Sequence, residues 1–186
     1  MSKRFIAIII CIALLVVLAG CGSSQPAEPD RIDTPVGTFE VYRNSQYGFS
    51  VQFPVDWTKP EDVPGTAIQF FAPSQDPTDS FRENLNIIVQ DLGQRLTLEE
   101  YSQPYLEQLQ IVADSGIQLS DVTLAGLPAK QAAFTKSVQD KSVDFRQIWT
   151  VKEQRAYILT FTSETSKSAQ YTGIFTQMAT SFKLGG

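Results

Sequence analysis

Cys21 stands directly after Leu18-Ala19-Gly20 and is one of two thiols in the 186-residue chain; the other, Cys11, lies inside the apolar run that precedes it. The chain has no histidine. Together these facts remove Ser–His and Cys–His nucleophile pairs, thiolate–zinc sites and histidine general bases. The 11 glycines are scattered at turns, so no phosphate-cradling loop appears. What remains is carboxylate chemistry. A pair of Asp or Glu residues suffices for glycoside hydrolysis, but Asp91, Asp144 and Glu164 fall at strand ends and turns with no shared pattern. The chain is expected not to be an enzyme. Asp76, Asp79 and Glu83 share one loop and are the best calcium candidates, because hard oxygen ligands suit a cation that takes roughly six to eight of them. Their spacing departs from an EF-hand, and a solvated acidic loop is the plainer reading.

Cys21 has a chemistry of its own. Lys3 and Arg4 open the chain, an unbroken apolar run from Phe5 to Ala19 follows, and small residues close it. A charged start, a short apolar core and a small-residue exit describe a secretory signal. The alternative, an uncleaved spanning helix, needs roughly 20 apolar residues, and this run is shorter. With a cysteine after the small pair, Leu18-Ala19-Gly20-Cys21 resembles the bacterial-type lipobox. That resemblance implies cleavage between Gly20 and Cys21, and a diacylglycerol with palmitate-like chains on the Cys21 thiol. Each buried methylene contributes about 0.8 kcal/mol, so two chains anchor stably where one does not.

The signal therefore covers residues 1–20, a lipidated flexible tether residues 21–36, and one domain residues 37–184. Residues 22–35, GSSQPAEPDRIDTP, carry the Pro, Ser and Asp content of a linker. Once Lys3 and Arg4 are cleaved off, 13 basic residues remain against 20 acidic ones. No basic stripe with interleaved aromatics is present, so nucleic acid is not an expected partner. The same acidity disfavours adsorption to anionic head groups, which leaves the lipid as the expected link to the membrane. The exported domain holds no thiol for a disulfide and depends on its hydrophobic core.

The elements beneath these residues are mostly strands. Phe39, Val41 and Arg43 alternate with Glu40 and Tyr42. Phe49, Val51 and Phe53 share one face of a second strand that Pro54 ends, and Trp57 folds back as a core plug. Strands are expected over residues 67–72 and 85–91, with the polar loop 73–83 between them. Thr97 and Glu100 have capping-box spacing, and Leu98, Tyr101, Tyr105, Leu109 and Val112 form one helical face. Pro104 sits within it. Either the helix kinks there or, as slightly preferred, it begins near Pro104. Residues 117–124 and 127–135 flank an Ala125-Gly126 turn. Two further strands follow, with Val143, Phe145, Gln147, Trp149 and Val151 on one inner face and Tyr157, Leu159 and Phe161 on the next. A last helix, with Thr165 or Ser166 as cap, turns Tyr171, Ile174, Phe175, Met178 and Phe182 inward. This order gives an α+β domain, an antiparallel twisted sheet covered by helices. Trp57 and Trp149 read as core, with a ligand pocket as the alternative; Tyr42 and Tyr47, nearer loops, are better placed to meet a partner.

The segment Tyr47-Gly48-Phe49-Ser50-Val51-Gln52-Phe53-Pro54, with Trp57 after it, resembles the opening of the PsbP-like domain. So do Gly126-Leu127-Pro128-Ala129, the strand ending at Trp149, Tyr157 to Thr162, and the terminal helix closing on Ser181-Phe182. The resemblance spans about residues 39–184 and implies an α-β-α sandwich of the Mog1/PsbP-like kind. It further implies a non-catalytic, monomeric lipoprotein on the extracytoplasmic face of a membrane, in the cell envelope or a thylakoid lumen. Such a protein binds or helps assemble a membrane protein complex, photosystem II if the source is an oxygenic phototroph. The alternative is an envelope lipoprotein that binds a small ligand.

Overall fold

The computed structural model describes residues 30–185 except 62 and 78. The signal, its cleavage point at Gly20 and the lipid site at Cys21 lie outside the described residues.

Among the described residues, ten strands form two antiparallel sheets. The smaller, in the order β1-β2-β3-β10, holds β1 (Arg31–Thr34), β2 (Gly37–Asn44), β3 (Phe49–Pro54) and the two-residue β10 (Lys183–Leu184). The larger has the order β4-β5-β9-β8-β7-β6. Its strands are β4 (Ile68–Phe71), β5 (Asn84–Asp91), β6 (Gln118–Leu124), β7 (Leu127–Val138), β8 (Lys141–Lys152) and β9 (Arg155–Glu164). Helix α1 (Leu98–Val112) lies between β5 and β6 in the chain, and α2 (Ser168–Ser181) between β9 and β10.

Strand alternation sends the large sheet's side chains to two cores. On one face Phe70, Leu85, Ile87, Leu159 and Phe161 meet Phe39, Phe49, Val51 and Phe53 of the small sheet and Tyr171, Phe175 and Met178 of α2. On the other, Ala132, Phe134, Trp149 and Ile158 meet Tyr101 and Leu109 of α1. The fold is thus α+β, with α1 on one side and α2 plus the small sheet on the other. The expected antiparallel sheet layer is present and consists of two sheets, the aromatic face of β3 packing against the large one.

Two boundaries move. Arg31–Thr34, placed by composition in the tether, is a strand paired with β2, and Thr38 Oγ1 donates to Asp33 Oδ1 across it at 2.7 Å. Four residues are too few for alternation to show, and the pairing partner supplies the strand. Helix α1 is continuous through Pro104 and starts at Leu98, against the preferred later start. Its capping box is complete: Thr97 Oγ1 accepts from the Glu100 amide, and Glu100 Oε2 accepts from the Thr97 amide. Pro104 and Glu100 are both exposed, so the carbonyl deprived of its donor lies on the wet side, where the cost is smallest. Helix α2 is entered at Lys167 with no side-chain cap, so neither Thr165 nor Ser166 fills that role.

The turns fall where Gly and polar residues indicated. Ala125 (φ 52°) and Gly126 (φ 76°) join β6 to β7, and Gln139 (φ 50°) and Asp140 (φ 64°) join β7 to β8.

Candidate functional site

The acidic loop closes on a lysine. Loop 73–83 runs from β4 to β5 and brings Asp79 and Glu83 beneath the start of α2. Lys167 Nζ lies 3.2 Å from Asp79 Oδ1, 3.8 Å from Glu83 Oε1 and 3.6 Å from Glu164 Oε1. Lys141 Nζ holds the same Glu164 oxygen at 2.6 Å. The Asp79 and Glu83 side chains are 2% and 0% exposed. Asp79 also accepts from the amides of Gln75 (3.1 Å) and Phe81 (3.3 Å), so it shapes the loop as well as pairing with the lysine. The Gln75 amide, against the opposing effect of burial, holds the Asp79 carboxyl below its ordinary value, and Lys167 adds to this. Burial works against the charge on Lys167, but the Asp79 hydrogen bond and the surrounding carboxylates outweigh it and raise its pKa.

Of the three calcium candidates, Asp79 and Glu83 converge on the Lys167 ammonium. Asp76 is exposed and contributes its carbonyl, which accepts from the Asp79 amide (3.1 Å) and from Ser74 Oγ (2.8 Å). Among the described residues no group of three His, Cys, Asp or Glu side chains is arranged to hold a metal ion. Glu83 Oε2 is buried without a hydrogen-bond partner among the described residues.

A groove of about 540 Å³ opens beside this cluster. Val36 at the β1–β2 tip, Val55, Trp57, Tyr171 and Ile174 form its apolar lining. Trp57 meets Tyr171 edge-on, with ring centroids 6.2 Å apart, and Gln75 Nε2 donates to Tyr171 Oη at 3.0 Å. A pocket lined by apolar rings with a few fixed polar atoms suits a small ligand or an inserted side chain. Trp57 therefore serves both the core and the groove. Trp149 is core alone, fully buried, with Nε1 donating to Ser102 Oγ of α1 at 2.8 Å.

The remaining candidates separate. Asp91 ends β5 and accepts from the Gly93 amide, whereas Asp144 accepts from Thr165 Oγ1 and Glu164 from Lys141 at the other end of the sheet. These three carboxylates do not share a site. Tyr42 is packed between Phe49 and Phe70, so it belongs to the core more than to a contact surface. Tyr47 stays half-buried at the β2–β3 turn, under the Arg155 guanidinium, 6.0 Å from the ring centroid.

Sequence patterns did not show a second recess, of about 480 Å³, around Arg95, Lys152 and Arg155 with Asp91 and Glu153. Its charges come from two separate segments, the end of β5 with the loop after it and the β8–β9 turn, and only the pairing of β5 with β9 brings them together. No helix among the described residues is long and apolar enough to cross a membrane.

A family model described as PsbP-like protein matches residues 5–184. Solved structures with a similar fold include cyanobacterial PsbP (CyanoP) from Synechocystis, at 14% identity and TM-score 0.54, with 90% of this chain covering 98% of that one. They also include the Ran-binding protein Mog1p of Saccharomyces cerevisiae, at 9% identity and TM-score 0.52, with 78% covering 95%. A Bacteroides thetaiotaomicron structure aligns at 15% identity and TM-score 0.57; 78% of this chain spans about half (48%) of that longer chain. At these identities the structural likeness speaks for the fold. Among curated proteins no match by sequence is found.

Proposed function

The chain belongs to the PsbP-like protein family, and on that premise we propose that it is a membrane-anchored extracytoplasmic lipoprotein that binds, or assists assembly of, a membrane protein complex. The observation that carries this reading is Leu18-Ala19-Gly20-Cys21 after a short apolar run, in a chain whose family match begins at residue 5. Cleavage before Cys21 leaves eight residues between the lipidated cysteine and Asp30. Even fully extended they reach only about 30 Å, so the domain works close to the bilayer.

The role is non-catalytic, carried out by a monomer whose surface meets other envelope components. If the source is an oxygenic phototroph, photosystem II is the leading partner. Replacing Cys21 by Ala is expected to release mature-sized domain from membranes or to leave an unprocessed precursor, read by fractionation and intact mass. Mature-sized protein that still needs detergent for extraction would overturn the anchor. Cross-linking and affinity capture from native membranes tests the partner: a recovered membrane complex supports the reading, and capture of none counts against it.

A second reading rests on the groove beside Trp57 and Tyr171. Its volume and its mixed lining support a small apolar ligand with one polar group, set against the Gln75–Tyr171 hydrogen bond. Native mass spectrometry of protein purified from its own cells, showing a bound small molecule that Trp57→Ala loses, would favour it. A bare polypeptide mass would count against it.

A further inference from the structure

The two ends of the fold carry different charge. β8 and β9 run antiparallel through their Lys152–Arg155 turn, so that turn and the Lys141–Glu164 pair lie at opposite ends. Asp79, Glu83 and Glu164, with only Lys141 and Lys167 against them, belong to the Lys141 end. At the other end, Arg95, Lys152 and Arg155 surround the polar recess and are all exposed. Arg43 and Lys183, also exposed, flank Ser50 from its two neighbouring strands, and Gly48 and Gly185 connect this pair to the recess through a 2.9 Å backbone hydrogen bond. Five cations therefore gather here in a protein that is acidic as a whole, facing Asp30, Asp91 and Glu153.

The chain arrives at this same end. β1 starts with Arg31 opposite Glu40 and runs away from the Arg43–Asn44 end of β2, and Arg43 Nη2 grips Asp30 Oδ2 at 2.8 Å. Eight residues separate Asp30 from Cys21, and no chain of that length reaches further than about 30 Å. Tyr47 sits here too, beneath Arg155. An amphipathic ring among cations is the composition found at head-group level.

We propose that the Arg43–Arg95–Lys152–Arg155–Lys183 end docks on acidic phospholipid head groups of the membrane that holds the lipid anchor, turning the Trp57–Tyr171 groove and the hairpin tip at Val36 outward. The inference rests on the anchor reading. The net acidity of the domain opposes approach to a negative surface, so the anchor holds it there and the uneven charge only orients it, with this basic end toward the head groups. The attraction of basic side chains to such a surface acts within a Debye length and is therefore weakened by salt.

The test uses the full acylated chain. With Cys21 acylated, a cysteine placed at Ser45 or at Ser137, at opposite ends of the fold, takes a fluorophore uniquely. The labelled proteins are inserted into vesicles of phosphatidylcholine, with or without phosphatidylglycerol, that carry a head-group quencher. The Ser45 label is expected to be quenched several-fold more than the Ser137 label on phosphatidylglycerol vesicles. That contrast is expected to be lost in high salt, and in R95E/K152E/R155E with an unchanged melting curve. Equal quenching at both ends, or a contrast indifferent to lipid charge and salt, overturns the docking while protein retained on the vesicles leaves the anchor standing. Protein that fails to float with vesicles overturns both. The salt arm on the unsubstituted chain decides the matter if the triple variant does not fold.

Discussion

Lys167 Nζ lies 3.2 Å from Asp79 Oδ1, and with this contact the entry to α2 and the loop between β4 and β5 become one structure. The lysine stands where a bound cation would stand, with three carboxylates around it. Lys167→Met leaves Asp79 and Glu83 buried without their counter-charge. A loss of about 3 kcal/mol is expected, the low end for a broken buried pair because Lys167 is itself 21% exposed. Urea denaturation measures it. Adding Glu83→Gln to that variant should recover part of the loss. Titration calorimetry of the unsubstituted protein with millimolar calcium is expected to show no binding heat.

Asp79 also sets a pH dependence. Its native carboxyl titrates below the unfolded one, so ionised Asp79 stabilises the fold above the unfolded pKa of about 3.9. That contribution is lost as pH falls through the native value. Melting temperature should be flat from neutral pH down to about 5 and fall steeply below 4. Asp79→Asn should be less stable at neutral pH and lose less on acidification, which thermal melts at two pH values would show.

Trp149 joins α1 to the sheet through Ser102 Oγ, inside a core where Tyr105 meets its ring edge-on at 5.0 Å. Trp149→Phe removes this hydrogen bond and opens a void. A cost of about 2 kcal/mol is expected, one part for the bond and the rest for packing. The variant keeps Trp57 as its only tryptophan, so its fluorescence reports the groove directly, and compounds entering there should shift the emission.

Gly173 is a helical glycine with a reason. A Cβ built on it would come 2.8 Å from Val36 Cγ1, so the β1–β2 tip rests directly on the α2 backbone. In an open helix, Gly→Ala gains about 0.5–1 kcal/mol. Here Gly173→Ala is expected to destabilise instead, and Gly173→Ala with Val36→Ala to be more stable than Gly173→Ala alone. A double-mutant cycle in urea reads that coupling. Equal effects of Gly173→Ala with and without Val36 would show that the tip does not press on the helix.

The legible parts of the fold are those written in local periodicity. The alternation of Phe49, Val51 and Phe53, that of Val143 through Val151, and the helical spacing of Tyr171, Phe175 and Met178 each place their residues on the faces observed. The Thr97–Glu100 box marks the observed start of α1, which Pro104 argues to place later. What the sequence hides is non-local. β1 and β10 are too short for a pattern and exist through their partners, β2 and β3. Asp79 and Glu83 are visible as loop acids, but the cation they face comes from a distant stretch of the chain, from a residue that reads as an ordinary lysine. The recess of Arg95, Lys152 and Arg155 is hidden in the same way.

β9 has eight consecutive buried residues, Ala156 to Ser163. Tyr157, Leu159 and Phe161 enter one core, while Ala156 and Ile158 enter the other. A strand shared in this way couples the melting of both halves, because opening either core strips one side of β9 and weakens its hold on the other. The domain should therefore lose its structure in a single all-or-none step, with Trp57 and Trp149 reporting the same midpoint from opposite faces. For a domain whose described residues include no cysteine and so no disulfide, that means it is either whole or unfolded, with no half-open form between.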